Sequence, residues 1–181
     1  MIYVLLADGF EEVEAIAPID VMRRNDIAVA TAGVGGNEIC GAHGIIVKTD
    51  MLVEDIDVAD VEGIILPGGM PGTTNLQKNE YVNTLIKYCE ENELLIAAIC
   101  AAPMILGELG MLEGKEAVCF PGFEENLHGA DICDCAVAVC DNIITARGAG
   151  AALEFGAAIV DYFSGEAGAG EATLDIMQYP L

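Results

Sequence analysis

The chain has 181 residues, and its 54% hydrophobic content is enough for one domain with a sizeable core. Its formal charge of −23, from 30 acidic and 7 basic residues, argues against nucleic acids and anionic membranes as partners, because phosphate groups repel such a surface. No apolar run approaches the ~20 residues of a membrane-spanning helix, and residues 1–7 lack the basic start and the cleavage region of a signal peptide.

Buried strands and amphipathic helices alternate along the sequence. Unbroken apolar runs indicate the strands, and apolar stripes at helical spacing indicate the helices between them. In chain order, the main strands are predicted at 2–7, 27–32, 63–66, 94–99, 115–120 and 142–145, and the helices at 10–24, 80–92, 102–109 and 151–163. Shorter strands are expected at 38–40 and 45–49, and an exposed antiparallel strand at 132–140. Gly165 is expected to end the last long helix, and no structure is assigned to 166–181.

This order predicts an α/β fold with a mainly parallel sheet covered by helices on both faces, as a single domain over 1–181. Such sheets bind ligands at the carboxyl ends of their strands. Three loops follow predicted strands at that edge: Asp8–Glu14, Pro67–Gly72 and the turn at Cys100. We expect the functional site where these loops meet.

Cys100 stands between a predicted strand and a predicted helix. Six apolar residues precede it, and Ala101, Ala102 and Pro103 follow, with the proline suited to the first turn of a helix. A strand that ends on a nucleophile and turns directly into a helix is a nucleophile elbow. The helix N-terminus is expected to favour the thiolate over the thiol. The alternative is that Cys100 is a small apolar residue of the core.

Backbone and carboxyl groups of the other two loops could assist Cys100. The N–H groups of Gly69 and Ala101 could form an oxyanion hole for a carbonyl that Cys100 attacks, with Gly68 beside them. Glu14 lies in the first turn of a helix near its apolar stripe. It either points inward, where burial would raise its pKa and suit it to acid–base chemistry, or it is a solvated partner of the helix dipole.

The remaining metal-ligating residue types give no clear site. His43 and His128 lie in glycine-rich loops, and either could pair with Cys100 or simply lie at the surface. No metal is expected, because the cysteines at 119, 133, 135 and 140 contain no C-x-x-C pair, although Cys133 and Cys135 would share one face of a strand. Since no secretion signal is present, we expect a cytoplasmic protein whose seven cysteines are free thiols.

Several separated motifs resemble the ThiJ/PfpI superfamily, and within it the branch of the parkinsonism-associated protein deglycase and the bacterial ThiJ-type proteins. The motifs are DGFEEVE (8–14), LPGG (66–69) and AAICAAP (97–103), together with DVMRR (20–24) and TARGAG (145–150). The resemblance runs over almost the whole chain. It implies a flavodoxin-like three-layer sandwich that forms a homodimer and needs no cofactor.

The resemblance also implies roles for individual residues. Cys100 would be the reactive, oxidation-prone thiol, Glu14 its hydrogen-bonding partner, and the N–H groups of Gly69 and Ala101 would line the pocket. Arg147 would be a structural residue near the dimer contact. Further positions that match the pocket or its rim are Gly68, Arg24, His43 and Phe120.

Two departures bear on the function. Many members place a histidine twenty residues after the cysteine, where this chain has Phe120, and the peptidase branch has a histidine where this chain has Ala101. A cysteine peptidase is therefore disfavoured. The resemblance implies glyoxalase- or deglycase-like chemistry on small reactive carbonyls, with Cys100 as nucleophile and Glu14 as general acid and base. The alternative is an oxidant-sensing thiol protein or chaperone with little turnover.

Overall fold

A twisted, mainly parallel sheet forms the centre of the computed structural model, which describes residues 1–165 and 168–178 without the side chains of Ile176 and Gln178. Within these residues its strands run in the order β10-β11-β7-β6-β1-β2-β5. They are β1 (Ile2–Leu6), β2 (Val29–Gly33), β5 (Met51–Leu52), β6 (Gly63–Leu66), β7 (Leu95–Ile99), β10 (Val137–Cys140) and β11 (Ile143–Ala146). All neighbours pair in parallel except β10 with β11. Two short pairs lie outside this sheet: β3 (Glu38–Cys40) with β4 (Ile46–Lys48), and β8 (Glu116–Ala117) with β9 (Asp131–Ile132).

Helices cover both faces of the sheet, because the central strands are apolar on both sides. One face packs against α1 (Glu12–Arg24), α5 (Ala152–Ser164) and α6 (Ala169–Gln178). The other packs against α2 (Gly72–Lys78), α3 (Glu80–Glu91) and α4 (Pro103–Glu108). The α/β sandwich predicted from the sequence is confirmed.

The segment after β7 differs most from prediction. The strand expected at 115–120 is reduced to β8, because the next residues turn towards the elbow: Val118 donates its N–H to Thr145 Oγ1 at 3.0 Å, and Phe120 donates to the Cys100 carbonyl at 2.8 Å. The strand expected at 132–140 is divided into β9 and β10. A disulfide between Cys133 and Cys135 lies at the break, so free thiols were a wrong prediction for this pair.

Two helices were not predicted. α2 lies between Gly72 and Lys78, in a segment whose glycine and threonines give no clear helical pattern. α6 lies in the region left unassigned, and it packs beside α5, where Gly170 approaches the Ala157 backbone. Thr173 Oγ1 bonds Asn25 Oδ1 at 3.0 Å, at the end of α1 away from Glu14. α6 therefore packs against α5 and against the C-terminal end of α1. No helix among the described residues combines the length and apolarity needed to cross a membrane.

Candidate active site

The three loops singled out in the sequence meet at one edge of the sheet. They follow β1, β6 and β7, which are neighbours in the sheet, so their carboxyl ends converge. The N–H of Gly68 donates to Glu14 Oε2 at 3.0 Å, and a Cβ built on Gly68 would lie 2.5 Å from Cys100 Cβ. The fold therefore brings Glu14, Gly68 and Cys100 into direct contact.

Cys100 adopts a left-handed backbone conformation with φ +66°. Such a conformation costs roughly 1–2 kcal/mol for a residue with a Cβ, so the surroundings must hold it. They do so on both sides: the Cys100 N–H donates to the Ala146 carbonyl at 2.8 Å, and its own carbonyl accepts the Phe120 N–H at 2.8 Å. α4 begins at Pro103, as the elbow requires. The elbow is thus a strained turn fixed by β11 and by the segment after β8.

Glu14 points inward, which answers the question that the sequence left open. Its side chain is 1% exposed, and its Oε1 has no regular hydrogen-bond partner among the residues that the structure describes. Burial raises its pKa to about 7, although the Cys100 thiol and the N–H groups of Gly68 and Ala149 oppose that rise. Glu14 is therefore close to half-protonated at neutral pH.

The thiol and the carboxyl titrate as a pair. Burial and the Glu14 carboxylate raise the pKa of Cys100 to about 12, against the N–H groups of Gly69 and Ala101, which lower it. The predicted preference for the thiolate is therefore wrong in its net direction. Since Glu14 loses its proton near pH 7, the pair retains one proton over the range above neutrality. That proton can lie on sulfur or on the carboxyl.

Gly68 packs against both Cys100 and Glu14, with no room for a side chain. A Cβ there would lie 2.5 Å from Cys100 Cβ, 2.6 Å from Glu14 Oε2 and 2.9 Å from the Ile99 carbonyl oxygen. These atoms belong to a fixed turn and a buried carboxylate, so displacing any of them would cost free energy.

We expect Gly68→Ala to displace Glu14 or the elbow and to lower the free energy of unfolding by about 1–3 kcal/mol. Urea denaturation followed by circular dichroism measures the loss. Gly36→Ala is the matched control, because a Cβ at Gly36 meets nothing within 4 Å. Equal stabilities for the two variants would contradict the close contact.

A groove of about 450 Å³ opens beside this pair. Phe120, 48% exposed, lines it together with Arg147, Gly148 and Ala149. A Cβ on Gly148 would lie 3.2 Å from the Phe120 ring and 3.9 Å from Glu14 Oε1, so this glycine separates the groove from the carboxyl. A larger cavity, of about 620 Å³, lies elsewhere, around Lys115 and Asp141 near the start of β11. The smaller groove is the better candidate, because Phe120, which is hydrogen-bonded to Cys100, and Gly148, which lies beside Glu14, both line it.

His43 is paired with the acidic residues at the start of α1. Its Nδ1 lies 2.9 Å from Glu12 Oε2 and 3.4 Å from Glu11 Oε1, and its N–H donates to Glu12 Oε1 at 2.8 Å. Burial opposes ionisation of Glu12, but these bonds, with one from Ile45, lower its pKa to about 2. The pair fastens the β3–β4 hairpin to α1. These three side chains are close enough to share a cation, but their mutual hydrogen bonds already account for the arrangement.

The two arginines of the family motifs lie at different places. Arg24 lies at the far end of α1, where its Nε bonds Asp20 Oδ2 at 2.8 Å, and ten helical residues or roughly 15 Å separate it from Glu14. Within one chain the structure does not bring it to the pocket. Arg147 lines the groove and bonds Asp134 Oδ1 at 2.8 Å.

The sequence reasoning missed the contribution of residues 148 and 149. Ala149 directs its N–H towards Glu14, and Gly148 gives the carboxyl room. Both follow β11, the strand next to β7, so the rule about carboxyl ends would have found this fourth loop had the order of the strands been known.

The chain is similar in sequence to several proteins over most of its length. The chain is 35% identical over 167 residues to the Parkinson disease protein 7 homolog of Danio rerio, covering 90% of this chain and 88% of that protein. It is 36% identical over 180 residues to Protein DJ-1 homolog B of Arabidopsis thaliana, covering 97% of this chain but only 41% of the plant protein. The chain thus spans less than half the length of that plant relative.

Structure and family comparisons agree with this. The crystal structure of Drosophila melanogaster DJ-1beta superposes with a TM-score of 0.90 at 30% identity, covering 99% of this chain and 98% of that one. A protein named deglycase in Pyrococcus abyssi is 29% identical over 148 residues, 81% of this chain and 89% of that protein. The DJ-1/PfpI family model matches residues 1–162. The chain belongs to the DJ-1/PfpI family.

Proposed function

We propose that this protein carries out cysteine-dependent chemistry on small reactive carbonyls, of the glyoxalase or deglycase kind. The observation that carries the proposal is the Glu14 carboxyl, buried against the Cys100 thiol with its pKa raised to about 7. A group that is half-protonated at neutral pH can both accept and deliver a proton. The deglycase name of the Pyrococcus abyssi relative supports the same class.

The reaction on methylglyoxal needs one nucleophile and one proton carrier. As Glu14 takes the thiol proton, Cys100 Sγ forms a bond to the aldehyde carbon, and the N–H groups of Gly69 and Ala101 stabilise the oxygen anion. Protonation of that oxygen gives a hemithioacetal. Glu14 then removes the hydrogen of this carbon as a proton and returns it to the neighbouring ketone carbon, while the hydroxyl proton of the first carbon passes to the ketone oxygen. This leaves a lactoyl thioester on Cys100. Water hydrolyses the thioester to lactate and restores the thiol. The first carbon is oxidised and the second reduced, so no external oxidant is needed.

The groove next to Cys100 has room for such a substrate, and the two histidines lie at other places. The groove of about 450 Å³ beside Phe120 exceeds the size of a three-carbon aldehyde. His43 is bonded to Glu12, and His128 is exposed on a loop. Within the described part of the chain neither histidine forms a hydrogen bond with Cys100, so the geometry does not support a Cys–His pair.

The direct test is the purified chain with methylglyoxal and no added glutathione. We expect loss of the aldehyde with a matching yield of lactate. Loss of aldehyde without lactate would reduce the reaction to adduct formation on surface side chains, and the proposal would be wrong.

The second candidate is an oxidant-sensing thiol protein. Glu14 Oε1 favours it, because this buried atom has no regular hydrogen-bond partner in the described part of the chain. A protonated Glu14 could donate to an oxygen added to Cys100 Sγ and so stabilise the sulfinate. Peptide mass spectrometry after mild peroxide tests it. Oxidation concentrated at Cys100 supports this function, whereas equal oxidation at the exposed Cys40 contradicts it.

Four further free cysteines besides Cys100 fit the reducing, cytoplasmic compartment that we propose.

A homodimer is part of the proposal. Apolar side chains stand exposed on α1 and on the β3–β4 hairpin, namely Val13, Ile16, Ile45 and Ile46 at 51%, 44%, 58% and 64%. The hairpin lies against α1, where His43 bonds Glu12, and several exposed apolar side chains on neighbouring elements are typical of a surface that meets a partner. A second copy of the chain is the partner we propose.

We expect the double variant Ile16→Asp/Ile46→Asp to be monomeric at 18.9 kDa, while the unmodified chain has twice that mass. Size-exclusion chromatography with light scattering measures both. Val139→Asp is the control, because Val139 is 55% exposed on the opposite edge strand β10. A monomeric unmodified chain would contradict the dimer.

A further inference from the structure

The Cys133–Cys135 disulfide closes across a single residue at the break between β9 and β10. Both cysteines are partly exposed, and Asp134 between them has a side chain that is 97% exposed. The other five cysteines are free. Small thiols in solution therefore have access to the bond, and no step of the carbonyl chemistry uses it.

The disulfide loop is fastened to the wall of the groove. Asp134 Oδ1 accepts from Arg147 Nη1 at 2.8 Å, and the Arg147 N–H donates to the Ala136 carbonyl at 2.9 Å. On the other side, Cys133 donates its N–H to the Ala117 carbonyl at 3.1 Å. Ala136 and Arg147 both line the groove, as does Phe120, whose N–H donates to the Cys100 carbonyl. Asp134 and Ala136 therefore connect the disulfide loop to the groove.

We propose that Cys133 and Cys135 form a thiol–disulfide exchange site whose redox state sets the position of Arg147 on the wall of the groove that Phe120 lines next to Cys100. The bond constrains the backbone of three consecutive residues, and this constraint holds the Asp134 carboxylate against Arg147. Opening the bond frees these residues, and an ion pair whose acid is 97% exposed has little strength of its own to keep them in place.

The exchange requires a low-molecular-weight thiol as reductant. Its thiolate attacks one of the two sulfurs, a new S–S bond forms as the Cys133–Cys135 bond breaks, and the released sulfur leaves as a thiolate that takes up a proton. A second thiolate attacks the mixed disulfide. The products are the protein dithiol and the oxidised small molecule, with two electrons transferred to the protein pair. Because the chain carries a charge of −23, a cationic thiol approaches more readily than an anionic one.

The first experiment is a redox titration with cysteamine and cystamine. The full chain is equilibrated in buffers of graded ratio, quenched with acid and alkylated, and the peptide with both cysteines is quantified by mass spectrometry. We expect conversion from disulfide to dithiol in one two-electron transition within the range of ratios. A pair that is alkylated even in cystamine alone, or that resists cysteamine alone, would overturn the proposal.

The second experiment measures how the redox state of the pair affects the accessibility of Cys100. After removal of the small thiols, the readout is the rate at which iodoacetamide alkylates Cys100. We expect at least a ~3-fold difference between the disulfide and dithiol forms of the pair. The variant Cys133→Ser/Cys135→Ser has the dithiol rate after either buffer, and Cys140→Ser, a partly exposed free cysteine on β10, responds as the unmodified chain does. Equal rates for both forms would overturn the link to the groove. Thiol alkylation needs no carbonyl substrate, so this result is independent of the proposed enzymatic activity.

Discussion

Replacing Cys100 by alanine is expected to lower the rate of methylglyoxal conversion to lactate by at least ~1,000-fold, the scale seen when a covalent nucleophile is removed. Alanine keeps the Cβ, so the left-handed backbone at φ +66° and the contact with Gly68 are unchanged. The loss is therefore a loss of the thiol and of nothing else in the elbow. Initial rates of lactate formation measure it, with circular dichroism to verify the fold.

The matched control for this change is Cys40→Ala. Cys40 is an exposed free cysteine on β3, and it would also react with an aldehyde in solution. We expect Cys40→Ala to retain the full rate. If Cys100→Ala kept more than a tenth of the rate, lactate would be arising without the elbow, and the assignment of the nucleophile would be wrong.

The elbow could be predicted from the sequence because its signal is local. Six apolar residues, a cysteine, two alanines and a proline indicate strand, turn and helix without reference to the rest of the chain. The meeting of its loop with Glu14 and Gly68 followed from one general rule about parallel sheets. The orientation of Glu14 could not be predicted in this way, because acidic residues in the first turn of a helix are equally stable when their side chains face solvent.

The acidity of Cys100 shows why a local argument fails for electrostatics. Backbone N–H groups favour the thiolate, as the sequence suggested, but burial and a carboxylate contributed by α1 outweigh them. That carboxylate lies 86 positions earlier in the chain, at Glu14. Likewise Arg24 matches a family motif, yet its helix carries it to the opposite end of α1, and His43 is held by the buried Glu12. Such pairings depend on the tertiary fold, which spacing alone does not give.

The surroundings of the groove were the least predictable part. The run from Ile132 to Cys140 alternates like one strand, but a bond between Cys133 and Cys135 interrupts it. Side chains at i and i+2 share a face of a strand, so the two sulfurs were expected on the same side. Their oxidation was not expected, because the cysteine usage indicated a reducing compartment.

Glu14→Gln is expected to lower kcat/KM for methylglyoxal by about 100-fold or more, because glutamine cannot carry the proton between the two carbons. In the unmodified chain we expect the rate to rise with pH through about 7, where burial places the pKa of Glu14 and the pair loses its first proton. The variant should lack this rise. Steady-state rates from pH 5 to 9 measure both effects.

Glu14→Gln is also expected to change the free energy of unfolding, and the pKa of Glu14 determines the sign of the change. The folded-state pKa of Glu14, about 7, lies above the ordinary value of 4.5 for a glutamate, so the folded state holds the proton more tightly. This contribution is fully present below pH 4.5 and is lost as pH rises through 7. At pH 8 the unmodified chain has an ionised carboxylate in a buried site, whereas glutamine resembles the protonated acid. Relative to the unmodified chain, Glu14→Gln should therefore gain on the order of 3 kcal/mol between pH 4.5 and pH 8.

Urea denaturation at both pH values measures this difference, and Glu91→Gln, an exposed position at the end of α3, is the control for the substitution itself. The kinetic and thermodynamic results together separate two roles for Glu14. A proton carrier loses activity and gains stability at high pH when its charge is removed. A carboxylate that serves only to support the elbow through Gly68 would lose stability at every pH, and that outcome would remove Glu14 from the mechanism.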